Sequence, residues 1–186
     1  METDIKRSLI VQEVQQWLEN VVVGLKLCPF AAEPLHNQQI RIRVSTAETE
    51  ETLLTDVQAE LMLLDRMHPD ELETSILVVP LMLADFGEYN EFLYLVNLLL
   101  REFGWDELYQ IASFHPQYCF DGATPEAAEN LTNRSPYPIL HILREVSVSE
   151  AIASYEQPET IPTRNIKTVQ KLTPTKKRKL FPYLYP

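Results

Sequence analysis

The stretch IASFHPQYCF, residues 111–120, brings His115 and Cys119 close together at the end of an apolar run. Cys28 and His141, elsewhere in the chain, complete the side chains best suited to nucleophilic, acid–base or metal chemistry. His115 precedes Pro116, which biases its backbone toward an extended conformation and lets the ring point into a cleft. An imidazole in that position suits a general acid or base. The competing role is a histidine that orders its own loop by hydrogen bonding. Cys28 lies in LCPFAAEP, where Pro29 can open a short helical turn and leave the thiol at its N-terminus, an arrangement that lowers thiol pKa and favours a nucleophile. Pro34 limits that turn, so a buried structural cysteine is the alternative. His141 alternates with Ile139 and Leu143, as expected of a histidine satisfied inside a sheet. Cys119 reads as a small hydrophobe under the loop. Cys28, His115, Cys119 and His141 together carry donor atoms that suit zinc, but their spacing is not that of a zinc motif. A metal-binding protein is therefore the third reading, and the leading one includes no metal and no cofactor.

The charged candidates lie in ENLTNRSPYP. Arg134 is flanked by Asn133 and Ser135, with Asn130 one turn earlier, in a segment stiffened by Pro136 and Pro138. A guanidinium held there suits bidentate recognition of a carboxylate or phosphate. Otherwise the amides and the hydroxyl bond the loop backbone, and Arg134 pairs with Glu126 or Glu129.

Four strands and several helices must position these groups. Ile10, Val14, Trp17, Leu18, Val21 and Val22 recur at helical spacing, with Gly24 as a natural stop. QIRIRVS alternates as a strand with one buried face. Ser45 with Glu48 has the form of a capping box for a second helix that runs to about Met67. TSILVVPL is apolar on both faces and predicts a central strand. Asp85 caps a third helix closed by Gly104. ELYQIASF and YPILHILRE are the last strands, followed by a short helix from Ser147 or Ser149 and another in IPTRNIKTVQKL. The expected fold is α/β or α+β: a mixed sheet of about four strands with crossover helices and parallel neighbours. One long ordered loop, Ser113–Pro138, precedes the last strand, with a helical turn begun by Thr124 and Pro125. Residues 1–172 are expected to form a single domain and 173–186 a basic, aromatic C-terminal tail, mobile or engaged with a partner or a second copy.

Composition excludes several functions. The 186 residues carry a formal charge of -11, which disfavours nucleic acid and anionic membrane. With 4 glycines and no glycine-rich phosphate motif, the common nucleotide-binding loops drop out. The N-terminus has no signal-peptide pattern and no apolar run is long enough to span a bilayer, so an acidic, soluble, cytoplasmic protein with reduced cysteines is expected.

GLKLCPF, IASFHPQYCF and ENLTNRSPYPILHILRE resemble the signature segments of domain of unknown function 1415, found in bacteria and plants, and the resemblance runs from about Ser8 to Leu172. It implies no activity, cofactor or catalytic residue. From the residues themselves, the leading expectation is a small enzyme acting on an anionic small molecule at the strand ends. Arg134, Asn133, Asn130 and Ser135 bind it, His115 moves a proton, and Cys28 is the candidate nucleophile. The alternative is a non-enzymatic binding or interaction protein that contacts its partner through the tail.

Overall fold

The computed structural model describes the backbone of residues 2–185 and the side chains of residues 4–185. The first helix, α1 (Glu2–Trp17), runs on into a π-helical segment, Leu18–Val23. Then come α2 (Ala32–His36), β1 (Ile40–Val44), α3 (Glu50–Arg66), β2 (Thr74–Val78), α4 (Phe86–Glu102), β3 (Tyr109–Phe114), β4 (Ile139–Arg144), α5 (Glu145–Ser154), α6 (Ile161–Gln170) and α7 (Pro174–Leu180). The fold is α+β with a mixed four-stranded sheet.

The sheet order is β1-β2-β4-β3. β1 and β2 are parallel neighbours, as a strand-helix-strand unit requires. β2 and β3 are not neighbours, contrary to the simplest expectation: β4 lies between them, antiparallel to both. A strand buried on both faces is stable only inside a sheet, and Ile139, Leu140 and Ile142 of β4 are all fully buried, as is most of β2. The antiparallel pairing of β3 and β4 places the end of one beside the start of the other, Phe114 opposite Ile139.

Side chains of the sheet alternate between two apolar layers. Leu77, Leu140 and Ile142 pack with Leu53, Leu61 and Leu64 of α3 and Tyr89, Phe92 and Val96 of α4. Ile76, Val78 and Ile139 pack on the other side with Val14 and Trp17 of α1, Val21 and Val22 of the π segment, Val169 of α6 and Phe181.

Local chemistry departs from the expected caps at several points. Thr49 caps α3 in a reciprocal pair with Thr52, while Ser45 instead donates to Asp56 and accepts from the Ala47 amide. Asp85 caps α4 as expected, accepting from the Gly87 and Glu88 amides. Gly24 does not close its helix in a left-handed conformation. Its φ is -61°, and glycine is required because a Cβ would lie 2.4 Å from the Asn20 carbonyl oxygen in the wide π turn. α5 begins at Glu145, directly off β4, and the helical turn in the long loop is Ala128–Thr132, past Thr124 and Pro125.

The C-terminal segment is not a free appendage. Phe181 is wholly buried in the α1-side layer, Leu180, Tyr183 and Leu184 pack around it, and Tyr183 donates to the Arg134 carbonyl. Its aromatic residues bury enough apolar surface to dock it, while Lys176, Arg178 and Lys179 point outward.

Candidate functional site

The long connection between β3 and β4 is held by its own polar residues. Asn130, fully buried, accepts from the Phe120 amide and donates to the carbonyls of Thr124 and Pro125. Arg134 donates to the carbonyls of Tyr118 (3.3 Å) and Pro125 (2.6 Å). Its own carbonyl accepts from Trp17 Nε1 and Tyr183 Oη. Ser135 is fully buried and donates to the Tyr137 carbonyl. Three residues expected to bind an anion thus close the loop on itself. A buried backbone without regular pairing needs such partners, and short polar side chains in the loop supply them at least entropic cost.

His115 is fully buried and has both ring nitrogens engaged. The Gln117 amide donates to Nδ1 at 2.9 Å, so the proton is on Nε2, which donates to the Leu83 carbonyl at 2.9 Å. Leu83 is one of three non-glycine residues at positive φ among the described residues, at 58°, and this bond holds it there. Burial pushes the imidazole pKa down, against the pull of the Leu83 carbonyl and Asp85, so the neutral ring is favoured. Its ring packs against Phe86 and Tyr89 of α4, with centroids 5.3 and 5.1 Å away. Phe114, the preceding residue, points the opposite way, edge-on to Trp17 of α1. Alternation at the end of β3 therefore puts His115 in the α4 layer.

Cys28 belongs to the other layer, where it packs against the α1-side core. His115 and Cys28 are consequently not a base–nucleophile pair. The thiol starts a turn in which the Ala31 amide donates to the Cys28 carbonyl, and α2 begins only at Ala32. Burial pushes its pKa up, outweighing the Phe30 and Ala31 amides and the Arg164 charge, the reverse of the effect expected from a helix N-terminus.

Cys28 lines a cleft of about 650 Å³, within the range of small-molecule sites. The cleft opens between the long loop and α6, at the carboxyl end of β3. Its apolar walls come from Val22 of the π segment and Leu27 after it, Phe114 and Phe120 at either end of the loop's first arm, and Ile161, Pro162 and Ile166 of α6. Its polar groups are Cys28, Asp121, Glu129, Thr132, Asn133 and Asn165. Among the described residues lining it, none is Lys, Arg or His. Asn133 holds the Ser113 carbonyl through Nδ2, and its Oδ1 lies 3.0 Å from the Thr132 hydroxyl, which donates to the Glu129 carbonyl at 2.7 Å. Asn165 donates to the Leu27 carbonyl at 2.6 Å and Arg164 to the Lys26 carbonyl at 2.8 Å. This clamp fixes a turn in which Lys26 has φ 57°, and so sets the position of Cys28.

Of the residues expected to carry chemistry, the cleft brings together Cys28 and Asn133. Cys28 and Asn133 were expected together, along with His115 and Arg134. Asp121, Glu129, Thr132 and Asn165 were not, because nothing in the local pattern of α6 says that it packs over the loop. Tyr89 was missed too, although it extends the apolar stripe of α4. Its hydroxyl donates to the Ile139 carbonyl and accepts from the Phe114 amide, pinning β3, β4 and α4 at one point.

The zinc reading is corrected by the same geometry. Among the described residues no three His, Cys, Asp or Glu side chains converge as ligands. His115 is engaged as above, and Cys119 donates to the Ala123 carbonyl. Thr74 can only donate to the Ile142 carbonyl, so His141 Nε2 carries a proton and donates to Thr74 Oγ1 at 2.7 Å. Burial pushes the His141 pKa down to about 4.

These features define an α+β protein with a mixed sheet covered on both faces and an apolar cleft under a long, self-bonded loop. A family model described as "Protein of unknown function (DUF1415)" matches residues 9–179, and the chain belongs to that family. The match reaches into α7, consistent with a C-terminal segment that is part of the folded unit. No curated protein and no solved structure matches the chain.

Proposed function

We propose that this protein binds a small, largely apolar molecule in the cleft between the long loop and α6, with Asn133 as a hydrogen-bonding group and Cys28 as a neutral thiol in the wall. The observation that carries the reading is the cleft itself: about 650 Å³ at the carboxyl end of β3, walled by side chains from three separate segments. The ligand class moves away from the anion expected from Arg134, because that guanidinium is engaged by two carbonyls and the lining adds Asp121 and Glu129. Binding is favoured over catalysis, since His115 faces the α4 layer and the Cys28 thiol has its pKa raised. No described helix is long and apolar enough to cross a membrane, and both cysteines are free, which suits a reducing compartment such as the cytoplasm.

Partner contact through the C-terminal segment is a second reading, supported by the outward cations of α7 rather than by its docked aromatic residues.

The test is a thermal-shift screen of neutral, cationic and anionic compounds, followed by alkylation of Cys28 in a Cys119→Ala chain. A ligand in the cleft should raise the melting temperature and slow alkylation of Cys28 together. Compounds that stabilise the chain while leaving the Cys28 rate unchanged would place binding elsewhere and refute the proposal.

A further inference from the structure

The total charge of -11, which disfavours nucleic acid for the molecule as a whole, conceals a segregation. Residues 161–186 carry seven of the 16 Lys and Arg and none of the 27 Asp and Glu. Lys167 and Lys171 of α6 and Lys176, Arg178 and Lys179 of α7 are exposed. Although this stretch docks on an acidic body, none of the five forms an ion pair among the described residues, where such pairs belong to Arg41, Arg43 and His68. A groove of about 470 Å³ follows α6, lined by Arg164, Lys167, Lys171 and three threonines, with Glu159 as the one carboxylate among its described lining residues. Two aromatic rings stand among the cations. Arg178 lies over Tyr185, 6.0 Å from the ring centroid, and Arg164 over Tyr155 at 5.9 Å. Tyr185 is 45% exposed.

Three kinds of anionic surface could meet such a face. An anionic bilayer is held by apolar side chains as well as charge, but Phe181 is wholly buried, with Leu180 and Leu184 packed around it. Acidic proteins fit poorly, because interfaces between proteins are depleted in lysine, whose ammonium is strongly hydrated, and four of the five exposed cations are lysines. A phosphate backbone suits hydrated lysines, since its condensed counterions are released on contact. Aromatic rings beside arginine add stacking platforms for unpaired bases. We infer that the α6–α7 face binds an unpaired strand of nucleic acid, its phosphates on Lys167, Lys171, Lys176 and Lys179 and a base stacked on Tyr185 beside Arg178. The acidic remainder of the chain repels the strand and confines it to this face. This rests on the reading of the C-terminal segment as a partner contact and names the partner's class.

The test is fluorescence anisotropy of labelled oligouridylate and oligothymidylate, each about 20 nucleotides long, titrated with the full chain. With about four phosphate contacts, affinity should fall about 50-fold between roughly 50 and 200 mM salt. The combined variant Lys176→Gln, Arg178→Gln, Lys179→Gln should bind at least about tenfold more weakly and lose part of that salt dependence. Tyr185→Ala should bind at least about fivefold more weakly with the salt dependence unchanged, which separates stacking from charge. Unchanged melting temperatures in both variants show that the loss is not one of folding. Tighter binding of one strand supports the inference and identifies the partner as RNA or DNA. Unchanged binding by the combined variant would overturn it, as would a complementary duplex bound as tightly as the single strand. Poly-glutamate or phosphatidylserine vesicles bound as tightly as the strand would overturn the nucleic-acid class and leave partner contact standing. Binding of none of these at low salt would overturn both, because the two readings draw on the same cations.

Discussion

Protonation of His141 should set the acid limit of stability. The ring lies between β2 and β3, its Nε2 bonded to Thr74, and burial pushes its pKa from 6.5 to about 4. The unfolded chain accepts a proton near 6.5, so between pH 6.5 and 4 the unfolded state binds more protons and stability falls as pH drops. The loss is complete below about 4. At ~1.4 kcal/mol per decade of proton activity the full difference is about 3 kcal/mol, and the half-buried edge of the ring brings it nearer 2. That is a large part of the 5–15 kcal/mol typical of a domain, roughly estimated. Urea unfolding at intervals from pH 7.5 to 4 should show this slope, and His141→Gln should reduce it to the part that His115 contributes, even if its stability at pH 7 is lower. If the two pH profiles are parallel across the window, His141 does not titrate as its burial requires and the reasoning fails. A direct NMR titration should place the His141 midpoint well below 6, with His115 also displaced downward.

Other outcomes follow from single contacts. Phe181→Ala should cost about 3–5 kcal/mol and lower the melting temperature by roughly 10 °C, since it empties a fully buried site; a change within error would mean that the C-terminal segment is undocked. Arg134→Met should cost about 1–2 kcal/mol and make Ser113–Pro138 the first segment cut in limited proteolysis, because two loop carbonyls lose a charged donor. Gly24→Ala should destabilise by about 3 kcal/mol, measured by chemical unfolding, as its Cβ meets the Asn20 carbonyl. In the Cys119→Ala chain, the rate of Cys28 alkylation should still climb at a pH where a free cysteine's has levelled off, and a plateau near neutrality would show an activated thiol instead.

Most elements were readable one at a time. The alternation in QIRIRVS, the unbroken apolar run of β2 and the stripe of α4 after Asp85 each report a local direction of burial, and the structure keeps them within a few residues. The long loop was read as ordered from the apolar residues Phe114, Tyr118, Phe120, Leu131 and Tyr137, of which Phe120 is exposed. Less legible was what its polar residues do. Arg134, Asn130 and Ser135 have the composition of a binding loop, but a loop packed over a sheet must first satisfy its own backbone, and that demand took all three.

The sequence by itself determined where the strands and most of the helices lie and that β2 is central, because periodicity and turn residues act over a few neighbours. Tertiary structure alone decided that β4 enters between β2 and β3, that α6 and Phe181 cover the α1 side, and that Cys28 shares a cleft with Asn133 rather than with His115. The pleat turns Phe114 and His115 to opposite faces, and only the packing of segments far apart in the chain determines which face holds the cleft.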